Sequence, residues 1–156
     1  MTEAEQKMFT ASSGYEAFMG RWSRLLAVQL IDFAGVRNGQ RVLDVGTGTG
    51  ALASAVHDAA PASPVVGVDP SEGLIAFAKN SSSSGRVSFE VGDAQKLRFE
   101  DGSFDHAMAM LVMNFIPDHH KALAEMRRVT RPGAARDESV RRLVDAASVG
   151  SAMRNA

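Results

Sequence analysis

Apolar and polar positions alternate along the chain in two rhythms that take turns. Val42, Leu43 and Val45 form a short β-branched run, and VVGVD (65–69) forms a second; both read as buried parallel strands. RVSFEVGDA sets Val87, Phe89 and Val91 against polar partners at period two, which predicts a third strand. FDHAMAML (104–111) predicts a fourth, bounded by Asp105. Helical spacing fills the intervals. Trp22, Leu25, Leu26, Gln29, Leu30 and Phe33 predict an amphipathic helix from Arg21 to about Gly35. ALASAVHDAA (51–60) has high helix propensity. In SEGLIAFAKN, Leu74, Ile75 and Ala78 share a face, with Pro70 and a Ser71 cap before it. HKALAEMRRVTRPG turns Leu123, Met126 and Val129 inward, places Arg127 and Arg128 near the C-terminal dipole, and ends at Pro132-Gly133. Asn38-Gly39, the Pro61–Pro64 loop, SSSSG (81–85) and the polar connection QKLRFEDGS (95–103) punctuate these elements. The result is an α/β pattern.

The chemistry concentrates in RVLDVGTGTG (41–50). A strand running through glycines into a helix makes a ligand site, because glycines accept positive φ and admit a ligand to the backbone, while the helix start presents unpaired N–H groups. Asp44 interrupts the strand, and Gly46, Gly48 and Gly50 follow at alternate positions around Thr47. This stretch resembles motif I of the class I S-adenosylmethionine-dependent methyltransferases, of the type 11, UbiE-like kind. A dinucleotide fingerprint is the rival, since Gly46, Gly48 and Ala51 satisfy its permissive form. Asp44 favours the methyltransferase, because a carboxylate there suits a cationic methionyl amino group better than a pyrophosphate.

The resemblance implies a doubly wound, Rossmann-like sheet of order 3-2-1-4 and S-adenosyl-L-methionine as cofactor. It continues through Asp69, which follows Gly50 by 19 residues; an acid ending the second strand reaches ribose hydroxyls in either cofactor class, and the alternative is a helix cap. Pro70 adjoins it. Gly92-Asp93-Ala94 resembles the motif whose acid accepts from the adenine amino group while the next N–H meets the ring; the bland reading of Asp93 is a turn residue. Phe104-Asp105 matches the usual start of the fourth strand. Met110 and Leu111, at the carboxyl end beside the switch point, are expected to line the pocket, with Met108 and Met113 as core filling. In the resembling family an N-terminal helical segment covers the cofactor, which points to YEAFMGRWS. Tyr15 and Arg21 are its candidates for the methionyl carboxylate, and Phe18 and Trp22 lie beside them, or form an apolar face on the sheet. Asn114, His119 and His120 occupy the segment where a methyltransferase faces its acceptor, although surface histidines at a helix start are the commoner case.

The chain has 156 residues, 45% hydrophobic and 22% charged, which suits one globular domain. A net charge of −1 makes no case for nucleic acid, and the absence of cysteine excludes disulfides and thiolate metal sites. MTEAEQKMFT does not read as a secretory signal, and no run approaches a membrane span. A cytoplasmic protein with a small-molecule substrate, no metal and no membrane partner is expected.

The pattern changes after Gly133. AARDESVRRLVDAASVGSAMRNA holds no run suited to a central strand, only Val140, Leu143, Val144 and Ala147 at helical spacing. The expected organisation is an N-terminal arm (1–20), a cofactor-binding domain (21–133) and a divergent tail (134–156), helical or disordered. Strands five to seven of the family would be missing, as in a truncated methyltransferase or one with a reading-frame change after Gly133; a coding sequence without a family-like continuation in any frame would sink that idea. Strand four would then be a long apolar edge, open to self-association. The implied function is methyl transfer to a small-molecule acceptor. The alternatives are an inactive remnant that binds the donor or a partner, and a nicotinamide-dependent oxidoreductase, for which no Tyr-x-x-x-Lys set is present.

Overall fold

A computed structural model describes residues 12–133, so the predicted tail and the first part of the arm lie outside the described residues. The described chain runs α1 (Ser12–Ala34), β1 (Val42–Val45), α2 (Ala51–Ala59), β2 (Val65–Asp69), α3 (Glu72–Ser81), β3 (Val87–Val91), β4 (His106–Ala109), a short 3-10 turn (Met113–Phe115) and α4 (His119–Val129). The strands form one parallel sheet in the order β3-β2-β1-β4, as expected. β1 is central and wholly buried, with Asp44 in register between Gly67 and Met108.

Period-two alternation sends the β1 side chains to two apolar layers. Val42 joins Ala27, Leu52, Val56, Ile75 and Phe89 under α1–α3. Leu43 and Val45 join Val68, Phe104, Met126 and Val129 on the other face, against α4. Asp44 therefore points to the α2 side, where the chain leaves the sheet for a helix. α3 buries Leu74, Ile75 and Ala78 as predicted, and Ser71 caps it by accepting from the Leu74 N–H at 3.3 Å. α4 buries Met126 and Val129 with Ala122, and Leu123 packs at the margin.

Three expectations need correcting. α1 begins at Ser12, well before Arg21, and its buried face is not the bulky one. Ser23, Ala27 and Ile31 are buried, whereas Trp22 (65% exposed), Leu25, Leu26 and Phe33 face outward. Through its buried face α1 packs on the alanine-rich α2, with Ala27 and Ile31 in one cluster with Leu52, Ala53 and Val56. β4 is four residues long, not eight. The Asp105 carboxylate accepts from the Arg41 N–H at 2.8 Å at its start, and Leu111 leaves it at a φ of 58°. The open edge is therefore short, and its start is covered: the Phe104 N–H donates to the Val129 carbonyl and the Arg131 N–H to the Phe104 carbonyl. β4 has no strand on its far side among the described residues. Finally, α4 ends at Val129 rather than at Pro132-Gly133, because Thr130 turns extended to bridge Phe104.

Candidate functional site

The site is assembled where β1 and β2 reach their carboxyl ends. The first glycine turn takes positive φ at Gly46 (73°), Gly48 (55°) and Gly50 (88°), a region costly to residues with a Cβ. The Gly46 and Thr47 N–H groups donate to the Val68 carbonyl, tying the turn to β2. Glycine was expected here to admit a ligand. At two positions it admits protein instead: a Cβ on Gly46 would run into the Val112 side chain, and one on Gly50 would meet the Phe89 ring at 2.8 Å.

Asp44 is 1% exposed. Its Oδ2 accepts from the Thr47 hydroxyl at 2.7 Å and from the Ala53 N–H at 3.2 Å. Burial pushes its pKa up to about 7 against these two bonds, with the nearby Asp69 charge adding to the rise. Asp69 is also buried, and burial likewise raises its pKa, opposed by its hydrogen bonds. One oxygen accepts from the Ser71 N–H at 2.9 Å and the other from the Gly48 N–H at 3.0 Å, so Asp69 stitches the glycine turn to the start of α3. Pro70, exposed, lies between those anchor points. Neither carboxylate has a cationic partner among the described residues. Two buried acids without a counter-cation fit a cationic ligand.

Asp93 follows β3, which is held to β2 through the Gly92 N–H and the Asp69 carbonyl. Its Oδ1 accepts from the Gln95 N–H (2.8 Å) and from Gln95 Nε2 (3.1 Å), and these bonds hold its pKa below the usual carboxylate range. Ala94 packs at the edge of the second apolar layer. Met110 packs against the first layer, and Met108 is fully in it. Leu111 is exposed in a left-handed conformation, a strained state for a leucine, and delivers Val112 onto Gly46.

The acceptor-side candidates are exposed: Asn114 in the 3-10 turn, and His119 and His120 in the first turn of α4, their rings 4.4 Å apart. Asp118 caps that helix by accepting from the Lys121 N–H. None of the three is hydrogen-bonded to Asp44, Asp69 or Asp93. Tyr15 and Arg21 lie in α1, and their side chains are outside the described residues.

The sequence reading missed three participants. Val112 and Phe89 fill the glycine faces, and the only available signal was the tight glycine spacing itself. The third, Gln95, lay in a stretch read only as a polar connection. Arg128 was read as a dipole charge, but it binds Glu125 and donates to the Leu97 and Phe99 carbonyls. The Glu-x-x-Arg spacing was the visible hint.

A parallel sheet with its glycine turn and acids gathered at the strand ends defines a nucleoside-cofactor-binding, Rossmann-like domain. The profile of the methyltransferase domain family matches residues 43–135, and the chain belongs to that family. S-adenosylmethionine is the cofactor this membership brings. The chain is 39% identical over 118 residues to the ubiquinone/menaquinone biosynthesis C-methyltransferase UbiE of Geobacter sp. (strain M21), covering 72% of this chain and 48% of that protein. It thus spans about half the length of that curated relative. A putative methyltransferase solved in complex with the Haloferax volcanii Trm112 methyltransferase activator has a TM-score of 0.69 at 29% identity, over 81% of this chain and 57% of that one. The [4+2]-cyclase SpnF has a TM-score of 0.67 at 31% identity, over 71% of this chain and 42% of its own.

Proposed function

We propose that this chain carries the donor-binding part of an S-adenosylmethionine-dependent methyltransferase that acts on a small-molecule acceptor. The observation that carries the reading is the pair of buried carboxylates, Asp44 and Asp69, around a glycine turn with no cation of the protein's own among the described residues. When bound, S-adenosylmethionine supplies an electrophilic methyl group on a sulfonium. Asp44 would receive the methionyl ammonium. Asp69 has already accepted one backbone N–H on each oxygen, and a carboxylate has about four acceptor sites, so it can still accept from both ribose hydroxyls. Asp93 keeps Oδ2 for the adenine amino group, with Ala94 and Met110 beside the ring and Leu111 at the mouth. Tyr15 and Arg21 are proposed for the carboxylate.

The chain's contribution to the reaction is placement, which can be worth about 7–11 kcal/mol. An acceptor carbon or heteroatom held in line behind the methyl group forms the new bond as the bond to sulfur breaks. The relative's role in quinone biosynthesis points to the reduced ring of a quinone precursor, already nucleophilic enough to need no strong base. His119 and His120, at the start of α4, are the candidates to take up the released proton. A second reading, a donor-binding unit that does not transfer methyl groups, is favoured by the resemblance to a cyclase. The far side of β4 is where a second chain would pair, and a monomer in sedimentation velocity would remove that suggestion.

The test is transfer of labelled methyl from S-adenosylmethionine to a reduced naphthoquinone with an unsubstituted ring carbon. Product formation supports the enzyme. Donor binding without product on a panel of phenolic and quinol acceptors supports the binding unit.

A further inference from the structure

We infer that Gln95 is a positioning residue that sets the base selectivity of the donor site and ties that site to the acceptor-side helix. The inference rests on the proposed role of Asp93. One side chain makes both connections: Gln95 Nε2 donates to Asp93 Oδ1 at 3.1 Å, and its Oε1 accepts from the Asp118 N–H at 3.1 Å. With the Gln95 N–H also donating to Oδ1 at 2.8 Å, both bonds fall on the same carboxylate oxygen. The carboxylate is thereby held in one rotamer, with no hydrogen bond to Oδ2 among the described residues. A carboxylate at an exposed turn would otherwise sample several rotamers, and its bond to a ligand would carry the cost of ordering it.

The far end of the bridge matters as much. Asp118 is the cap of α4, and His119 and His120 are the first residues of that helix. The loop is pinned to the same helix further along, where the Leu97 N–H donates to Glu125 Oε2 at 2.9 Å and Arg128 donates to the Leu97 and Phe99 carbonyls. These latches fix the loop without Gln95, so its side chain is left to orient Asp93 and to register it against the helix start. A glutamine amide suits both ends, because one carries a donor and the other an acceptor. Glutamate in its place would set a second carboxylate against Asp93.

Calorimetry of the full chain with S-adenosylhomocysteine and with its 6-oxo analogue, S-inosylhomocysteine, tests this. The analogue replaces the amino donor with a carbonyl facing Asp93. The wild type should prefer the amino compound by about tenfold or more, as for a hydrogen bond to a charged group. Gln95→Met, similar in length but without the amide, should lose most of that preference while its Tm stays near wild type, and Gln95→Glu should lose at least as much. A purely structural role would weaken both ligands together and leave the ratio intact. An unchanged ratio in Gln95→Met overturns the role of Gln95 and leaves Asp93 standing. Equal binding of the two ligands to the wild type overturns the role of Asp93 and this inference with it, whereas binding of neither overturns the donor site itself.

Discussion

Replacing Asp44 with asparagine should stabilise the unliganded protein, and by an amount that depends on pH. The carboxyl is buried, and its pKa rises from 3.8 to about 7 on folding. An acid whose folded pKa is raised destabilises the native state once it must ionise. The penalty is absent below about pH 3.8, grows through the window between the two values, and is constant above about pH 7. At 1.36 kcal/mol per pKa unit, the full penalty is about 4 kcal/mol. Asparagine has no such charge. Its amide can accept from Thr47 and Ala53 as the carboxylate does, but its NH2 group adds donors with no assured partner, at a cost that does not vary with pH. The pH dependence therefore isolates the carboxylate. Between about pH 5 and pH 8, the stability of Asp44→Asn relative to wild type should improve by about 3 kcal/mol, roughly two pKa units of the window. Urea unfolding at a series of pH values measures it directly. The same substitution should weaken S-adenosylhomocysteine by about ten- to a hundredfold. A flat difference in stability across that range would refute the idea that Asp44 is a buried acid waiting for a cation.

Two further substitutions test the scaffold. Gly46→Ala should cost more than Gly39→Ala in urea unfolding: both glycines have positive φ, but only Gly46 would drive a Cβ into Val112, while Gly39 opens to empty space. The backbone term is about 1–2 kcal/mol at each, and the overlap should add about 1–3 kcal/mol at Gly46 alone; equal losses would mean that Val112 moves aside freely. Arg128→Met should destabilise by about 1–3 kcal/mol, since it leaves two carbonyls without their side-chain donor and Glu125 with only the Leu97 N–H. Amide exchange should then quicken at Leu97 and Gln95 before the β1 and β2 amides change, and uniform exchange would deny that Arg128 latches this loop.

The sheet was legible because each strand carried its own pattern. VLDV and VVGVD could only be buried, and Leu74, Ile75 and Ala78 marked one helical face. The α1 face was misread because hydrophobicity ranks tryptophan and leucine above serine and alanine, whereas the face that is buried is the one that meets α2. That choice depends on α2, which lies nowhere near α1's own pattern. The candidate acids stood out by type and position, since Asp44 breaks an apolar run and Asp69 ends one. What they touch was not visible. The Gly48 N–H that holds Asp69, and the amide of Gln95 that links Asp93 to Asp118, join residues more than twenty positions apart, and no local spacing encodes such bonds. Gly46 and Gly50 do take the positive φ that the turn called for, but a valine and a phenylalanine are folded onto them where only a ligand was expected.

On the proposed function, the buried acids and the glycine turn hold a cationic, adenosine-bearing donor. Isothermal titration of the full chain with S-adenosylhomocysteine, and in parallel with NADH, tests it most directly. One site for S-adenosylhomocysteine is expected, weakening by about tenfold per pH unit over the first one to two units below about pH 7, where Asp44 must give up its proton to receive the ammonium. NADH should not compete. Tight binding of NADH with none of S-adenosylhomocysteine would contradict it.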